Sequence, residues 1–322
     1  METNFPTTRD TSGVDPMLDW RWDYDGWIIV VTAIVAIICA LPGSFLLVRR
    51  QAMLGDAVAH AVLPGIAIGF LVSGTRSGFW MLFGAMLAGL TTAGLTQVLR
   101  GIGGVDRGSA LGVVFSTLFA LGLVLIVQTA DSVDLDPACV LYGQIELVPL
   151  DLFEIQGVDI PRAIPWMLLV LVVIGLGMGL LWKELLITSF DSSMAESQGI
   201  PTWAMHQLLM VFVASGCVVA FESVGSILVL ALLIGPPAIA RLFTGNFLRM
   251  VVIAAAIGVF VSVMGHFLAI FVPIWLWNGE ASLSTAGVTA VFSMGIFCVS
   301  VLGIRLYERI SRQQMMLIEL SD

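Results

Sequence analysis

The chain has 322 residues, 58% of them hydrophobic and only 11% charged, with a formal charge of −9. Soluble domains carry about 25% charged residues, so this chain lacks the polar surface that a water-soluble protein of its size needs. The acids cluster in a few segments outside the apolar runs, so the net charge is no signal for nucleic acid, and no such partner is expected.

Residues 1–26 form an acidic tail holding Glu2, Asp10, Asp15, Asp19, Asp23 and Asp25. It has no basic stretch ahead of a short apolar core, so no cleavable signal peptide is expected. Apolar runs of membrane-crossing length follow. They are placed at 27–48, 57–73, 79–98, 108–128, 164–182, 205–221, 224–240, 249–272 and 284–304. Their residues do not alternate as those of a transmembrane β-barrel do. The expected class is therefore an all-α polytopic membrane protein of about nine spans. The count falls to eight if the hairpin around Glu222 is one broken span. Residues 305–322 form a terminal tail.

All nine tryptophans, Trp20, Trp22, Trp27, Trp80, Trp166, Trp182, Trp203, Trp275 and Trp277, fall at or just outside the expected span ends. An amphipathic indole is most stable at that interface. Lysine and arginine set the orientation. With the N-terminus outside, the inner segments hold Arg49, Arg50, Arg100, Arg107, Lys183, Arg241, Arg249, Arg305, Arg309 and Arg312, and the outer ones only Arg9, Arg21, Arg76 and Arg162. This positive-inside bias puts the C-terminus in the cytoplasm of a multi-pass plasma-membrane protein.

Two connections are long. The outer loop 129–165 is rich in acids, among them Glu146, Asp151, Glu154 and Asp159. The inner segment 183–204 reads as a short helix between two spans. Asp191 or Ser192 caps its start, and Gly199 with Pro201 stops it. Such a helix is either a docking element for a soluble partner or an ordinary connector.

Ionisable groups inside spans are costly and mark function by default. Asp56 and His60, in GDAVAH, stand four apart on one helical face. A carboxylate and an imidazole converging there suit a borderline divalent cation such as Zn, Mn or Fe. Asp56 equally fits an N-cap, and His60 a hydrogen bond to a neighbouring span. Glu222 at the outer end of the sixth span is a pathway ligand or a solvated hairpin residue. His266 in the eighth span is a ligand or a packing residue, and His206 lies at the cytoplasmic interface. Cys39, Cys217 and Cys298 lie in apolar runs and Cys139 in a loop, with no metal-type spacing, so they read as small buried hydrophobes. Pro42-Gly43, Pro64-Gly65 and Gly235-Pro236-Pro237 mark places where helices break or approach closely. Lys183 is the only lysine and no glycine precedes it, so the chain has no Walker A loop to cradle a nucleotide. It is not expected to be an enzyme, and ATP, if it drives transport, is hydrolysed in a separate subunit.

The stretch GSFLLVRRQAMLGDAVAHAVLPGIAIGF (43–70) resembles the most distinctive segment of the permeases of zinc-, manganese- and iron-importing ABC transporters. The resemblance continues through 109–126, 134–145, 183–200 and 218–243, and covers most of 27–304 in that family's order. It implies a homo- or heterodimeric permease with two cytoplasmic ABC ATPases and an extracytoplasmic metal-binding protein, and no permanently bound cofactor. The transported ion would be Mn, Zn or Fe, passing by alternating access at the permease dimer interface. By position, Asp56 and His60 become candidates for the metal pathway, with Glu222 and His266 beside them. Phe190, Asp191, Ala195 and Gly199 fall in the segment (188–200) that resembles the ATPase-coupling helix. The sequence departs from the family at Pro236-Pro237-Ala238-Ile239-Ala240, where the family commonly reads P-A-A-T-A, at His266 and in the acidic tail. Two other classes share the architecture: an ion- or proton-coupled secondary carrier using Asp56 and His60 as a relay, and an ABC permease for a siderophore or corrinoid. The coupling-like helix argues against the first, and the Asp–His pair against the second.

Overall fold

A computed structural model describes residues 22–73, 78–129, 145–155, 158–277 and 283–319. Eleven helices occupy most of them: α1 (Trp22–Val48), α2 (Ala52–Ser73), α3 (Gly78–Gly103), α4 (Arg107–Thr129), α5 (Ala163–Leu180), α6 (Trp182–Phe190), α7 (Ser192–Ser197), α8 (Thr202–Val224), α9 (Ser226–Phe243), α10 (Phe247–Trp277) and α11 (Thr285–Glu319). Most of the long helices are apolar all round rather than along one stripe, as expected where both the neighbours and the surroundings are apolar. Among the described residues, seven helices are long and apolar enough to cross a membrane: α1, α4, α5, α8, α9, α10 and α11. The helices α2 and α3, of 22 and 26 residues, fall over the expected second and third runs.

The core centres on α1, which packs against α9 and α10, while α9, α10 and α11 pack on one another. Val31, Val35, Ile38 and Phe45 of α1 are fully enclosed there. A second group joins α2 to α3 and α4, with α3 also against α8. The contact between α2 and α3 is so close that a Cβ on Gly65 would lie 2.3 Å from the Gly84 carbonyl oxygen, and one on Gly84 2.2 Å from that of Gly65. Only glycine allows this backbone-to-backbone approach.

Several boundaries differ from the sequence reading. Of the two readings for the Pro-Gly sites, a break or a close approach, the second holds: Pro42, Pro64, Pro236 and Pro237 all lie inside continuous helices, and Gly43 and Gly65 sit against the backbones of neighbouring helices. A proline removes one N–H donor, and neighbouring helices stabilise the gap. Pro237 takes the donor from the Leu233 carbonyl, and that carbonyl faces Gly43 of α1, where an added Cβ would sit 2.1 Å from its oxygen. At the hairpin two helices stand, divided by Gly225 alone at φ +78°. The single inner helix is two, α6 and α7, because Asp191 between them is extended (φ −144°, ψ 97°). Helix α1 begins at Trp22, so the last residues of the acidic tail are helical, and α11 runs well past residue 304. Ahead of α5, β1 (Leu152–Ile155) and β2 (Val158–Pro161) form an antiparallel ribbon with Ile155 opposite Val158. The exposed Arg162–Asp151 pair at its base, 3.2 Å, adds little. Trp22, Trp80, Trp166, Trp203 and Trp275 are exposed as an interfacial belt requires. Cys39 and Cys217 are buried, but Cys298 is exposed on α11, contrary to the expectation.

Candidate functional site

The backbone of α2 carries residues 56 and 60 one turn apart, on the helix that packs into α3 and α4. The side chains of Asp56, His60 and Glu222 lie outside the described residues. What positions α2 is described. At its start, Gly55 fits against Leu233 of α9, whose Cδ2 would be 2.4 Å from an added Cβ. Pro64, inside α2, has no N–H to offer residue 60, so the carbonyl there lacks its intrahelical donor. The helix is thus held tightly on two sides and loosened at the turn that carries the candidate pair.

His266 lies elsewhere. It is 2% exposed in α10, and its Nε2 stands 3.3 Å from Asp25 Oδ1 of α1 while Nδ1 stands 3.2 Å from Thr285 Oγ1 of α11. The Thr285 N–H donates to Glu146 Oε1 at 3.0 Å, and the Tyr24 hydroxyl donates to the Glu146 carbonyl. Glu146 belongs to a short 3₁₀ helix, Ile145–Leu150, between α4 and α5. One polar network therefore joins the first turn of α1, that 3₁₀ helix, α10 and the start of α11. Both ring nitrogens of His266 are engaged, so an ion could bind the ring only by displacing Asp25 or Thr285. Among the described residues, no group of three His, Cys, Asp or Glu side chains is arranged to hold a metal. Asp25 and Glu146 were legible in sequence only as acids of outer segments. The signal for Asp25 is its place beside Trp22 and Trp27, in a first helical turn that favours carboxylates.

The opposite end of the bundle holds the segment read as either a docking element or a connector. Asp191 caps α7: its Oδ1 accepts from the Met194 N–H at 3.0 Å and from the Ser193 hydroxyl at 2.6 Å. These two bonds, the Ser193 hydroxyl first, hold the Asp191 carboxyl below the usual carboxylate range. Gly199 ends α7 at φ +76°, with its N–H on the Glu196 carbonyl at 3.0 Å and the Ile200 N–H on that of Ala195 at 3.0 Å. This is the reciprocal closure of a Schellman cap, at which glycine meets no Cβ penalty. Ala195 is buried, whereas Phe190, Asp191, Met194 and Gly199 are exposed at the turn of the α6–α7 elbow. The predicted N-cap and C-cap are thus both present.

Around that elbow the aromatic rings interlock. Phe45 lies 5.5 Å from Trp182 and 4.6 Å from Phe247 between centroids, Trp182 lies 5.5 Å from Phe247, and Phe190 lies 6.1 Å from Phe247. The end of α1, the start of α6 and the start of α10 are thereby clamped together. Sequence reasoning placed Trp182 at an interface but gave no reason to pair it with Phe45, 137 residues away in a different span.

Comparisons with known proteins agree with this architecture. The model of the ABC 3 transport family matches residues 23–303. The manganese transport system membrane protein MntD of Bacillus subtilis is 40% identical over 278 residues, which are 86% of this chain and 92% of that protein. The zinc transport system membrane protein TroD of Treponema pallidum is 39% identical over 243 residues, 76% of this chain and 66% of that one. Among solved structures, PsaBC from Streptococcus pneumoniae in complex with Fab superposes with a TM-score of 0.69 at 29% identity, covering 85% of this chain and 90% of that one.

Proposed function

The chain belongs to the ABC 3 transport family, and from that membership we propose that it is the membrane-spanning permease of an ATP-driven importer of divalent transition-metal ions. Manganese and zinc are the first candidates, because relatives named for those two metals are 40% and 39% identical to it over 278 and 243 aligned residues. Membership in an ABC family argues against the ion-coupled secondary carrier.

In this reading the nine long helices all span, with the Asp25–Glu146–His266 end outside and the α6–α7 elbow in the cytoplasm. An extracytoplasmic metal-binding protein docks on the acidic outer face and releases its ion to the permease. A second permease subunit completes the pathway, and the exposed apolar faces of α4, α5 and α11 are available for that subunit and for lipid. The ion passes Asp56 and His60 on α2. A carboxylate and a neutral imidazole match manganese or zinc in ligand type, yet two ligands hold loosely enough for release. Glu222, at the joint of α8 and α9, is a further candidate on the outer side. His266 serves the scaffold rather than the ion. A cytoplasmic ABC ATPase engages the α6–α7 elbow, and its cycle alternates access to the pathway.

The observation that carries the proposal is the pairing of residues 56 and 60 one turn apart on α2, inside a chain that matches the family from 23 to 303. Radiometal uptake by cells carrying Asp56→Ala or His60→Ala tests it. Uptake should fall to near background in both; unchanged uptake at normal expression removes both residues from the pathway.

A further inference from the structure

Arg49 ends α1 beside the α6–α7 elbow. Its Nε donates to Ser189 Oγ at 2.8 Å and its Nη2 to Thr188 Oγ1 at 2.9 Å, so one guanidinium edge spans two successive hydroxyls in the last turn of α6. The hydroxyls are pre-aimed. Thr188 donates its own proton back to the Glu184 carbonyl at 2.8 Å, and Ser189 donates to that of Leu185. Each oxygen then has lone pairs left only for a donor, which the planar fork of arginine matches and a lysine ammonium does not.

The chain continues from Arg49 directly into α2. Arg50 adopts φ +55°, the one non-glycine residue with positive φ among those described. Its N–H bonds to the Leu47 carbonyl at 3.0 Å, and the Gln51 N–H bonds to that of Leu46 at 2.8 Å. This Schellman closure ends α1 with an arginine at the position that glycine occupies most easily. Helix α2 starts at Ala52, and residues 56 and 60 follow within its first three turns. A stiff two-residue link therefore separates the Arg49 fork from the helix of the candidate metal pair. The clamp of Phe45, Trp182, Phe190 and Phe247 supports the same joint on its apolar side.

We propose that Arg49 is the positioning residue that ties the α6–α7 elbow to α2, so that movement of the elbow reorients the helix carrying Asp56 and His60. In this role Arg49 acts through Thr188 and Ser189 and the link to α2 rather than by binding the ion. The inference rests on the proposed function, since it needs an ATPase at the elbow and an ion at α2. The simpler role for a basic residue here is to offset the C-terminal end of the α1 dipole or to set membrane orientation. Lysine performs both of those tasks, and it cannot bridge Thr188 and Ser189 in the same way.

The test uses the whole complex, permease with its ATPase and binding protein, reconstituted in proteoliposomes. Manganese, zinc and ferrous iron uptake and ATP hydrolysis are measured together. Wild-type uptake reports on the proposed function: if none of the three is carried, that reading fails whatever Arg49 does. Given wild-type uptake, Arg49→Lys and the pair Thr188→Val with Ser189→Ala should each lower the metal carried per ATP hydrolysed by about tenfold, as expected for loss of charge-assisted bonds. ATP hydrolysis and assembly with the ATPase should persist. Combining all three substitutions should be no worse than either set alone. If Arg49→Ala fails to assemble, Arg49→Lys decides. A wild-type transport ratio in Arg49→Lys, or additive losses in the combined variant, overturns the proposal.

Discussion

His266 and Asp25 stand 241 positions apart in the chain, and their Nε2 and Oδ1 atoms meet at 3.3 Å in the interior of one end of the bundle. The side chains are 3% and 9% exposed. Through Thr285 and Glu146 the pair fastens α1, α10, α11 and the segment holding Glu146 at one point. This is the arrangement of a scaffold, in which every polar group has a partner, rather than of an open coordination site.

Replacing His266 with leucine leaves the Asp25 carboxyl buried without its ring. Leaving a buried acceptor without its hydrogen-bond partner costs about 1–3 kcal/mol, so thermal unfolding in detergent should come at a lower temperature. His266→Asn keeps a hydrogen-bonding group there and should recover part of the loss. Metal uptake per folded molecule should be near wild type in both variants. A specific rise in the metal concentration needed for half-maximal uptake would instead place His266 on the pathway.

The close approach of α2 and α3 makes a sharp prediction at Gly84. A methyl group there meets the Gly65 carbonyl oxygen at 2.2 Å, so Gly84→Ala should push the helices apart at a cost of about 1–3 kcal/mol. Because α2 carries the candidate pair, uptake should fall along with the melting temperature.

At Pro64 stability and transport should move in opposite directions. Pro64→Ala restores an N–H for the carbonyl of residue 60, and helix propensity alone favours alanine by about 3 kcal/mol in a helix interior. The melting temperature should rise or hold, while uptake drops because the turn holding the candidate pair is stiffened. Unchanged uptake in this variant would mean that the loosened turn has no part in transport.

The cap of α7 depends on an ionised Asp191. Its carboxyl titrates lower in the folded chain than in the unfolded one, so the cap is fully in place above the ordinary value of 3.8 and is lost as pH falls below it. Protection of the 192–197 amides, taken relative to the unfolded chain at the same pH, should be present at neutral pH and lost only in strong acid. Asp191→Ala should lack that protection already at neutral pH and should weaken capture of the partner ATPase. Asp191→Asn, which still accepts from Met194, should weaken it less.

Legibility followed the range of the interactions. The caps at Asp191 and Gly199 were readable because donor, acceptor and turn lie within nine residues of one another. The β-ribbon was missed although Leu152–Ile155 and Val158–Pro161 flank a two-residue connection containing Gly157, the ordinary hairpin signal. Reading that segment only for its acids hid its alternation. The Pro-Gly sites were legible only as a choice between a break and a close approach, and a neighbouring helix decided it by closing over the released carbonyl, as α1 does at Gly43.

Composition, run length and tryptophan placement by themselves determined the membrane class, the approximate limits of the long helices and the pairing of residues 56 and 60 on one helical face. Each of these depends on burial or on spacing within a single segment, which the chain states locally. Tertiary structure alone decided that Asp25 meets His266, that Arg49 grips Thr188 and Ser189, and that Phe45 seats against Trp182 and Phe247. Those partners come from segments more than a hundred residues apart, and helices that are apolar all round carry no stripe to announce which neighbour each face will meet.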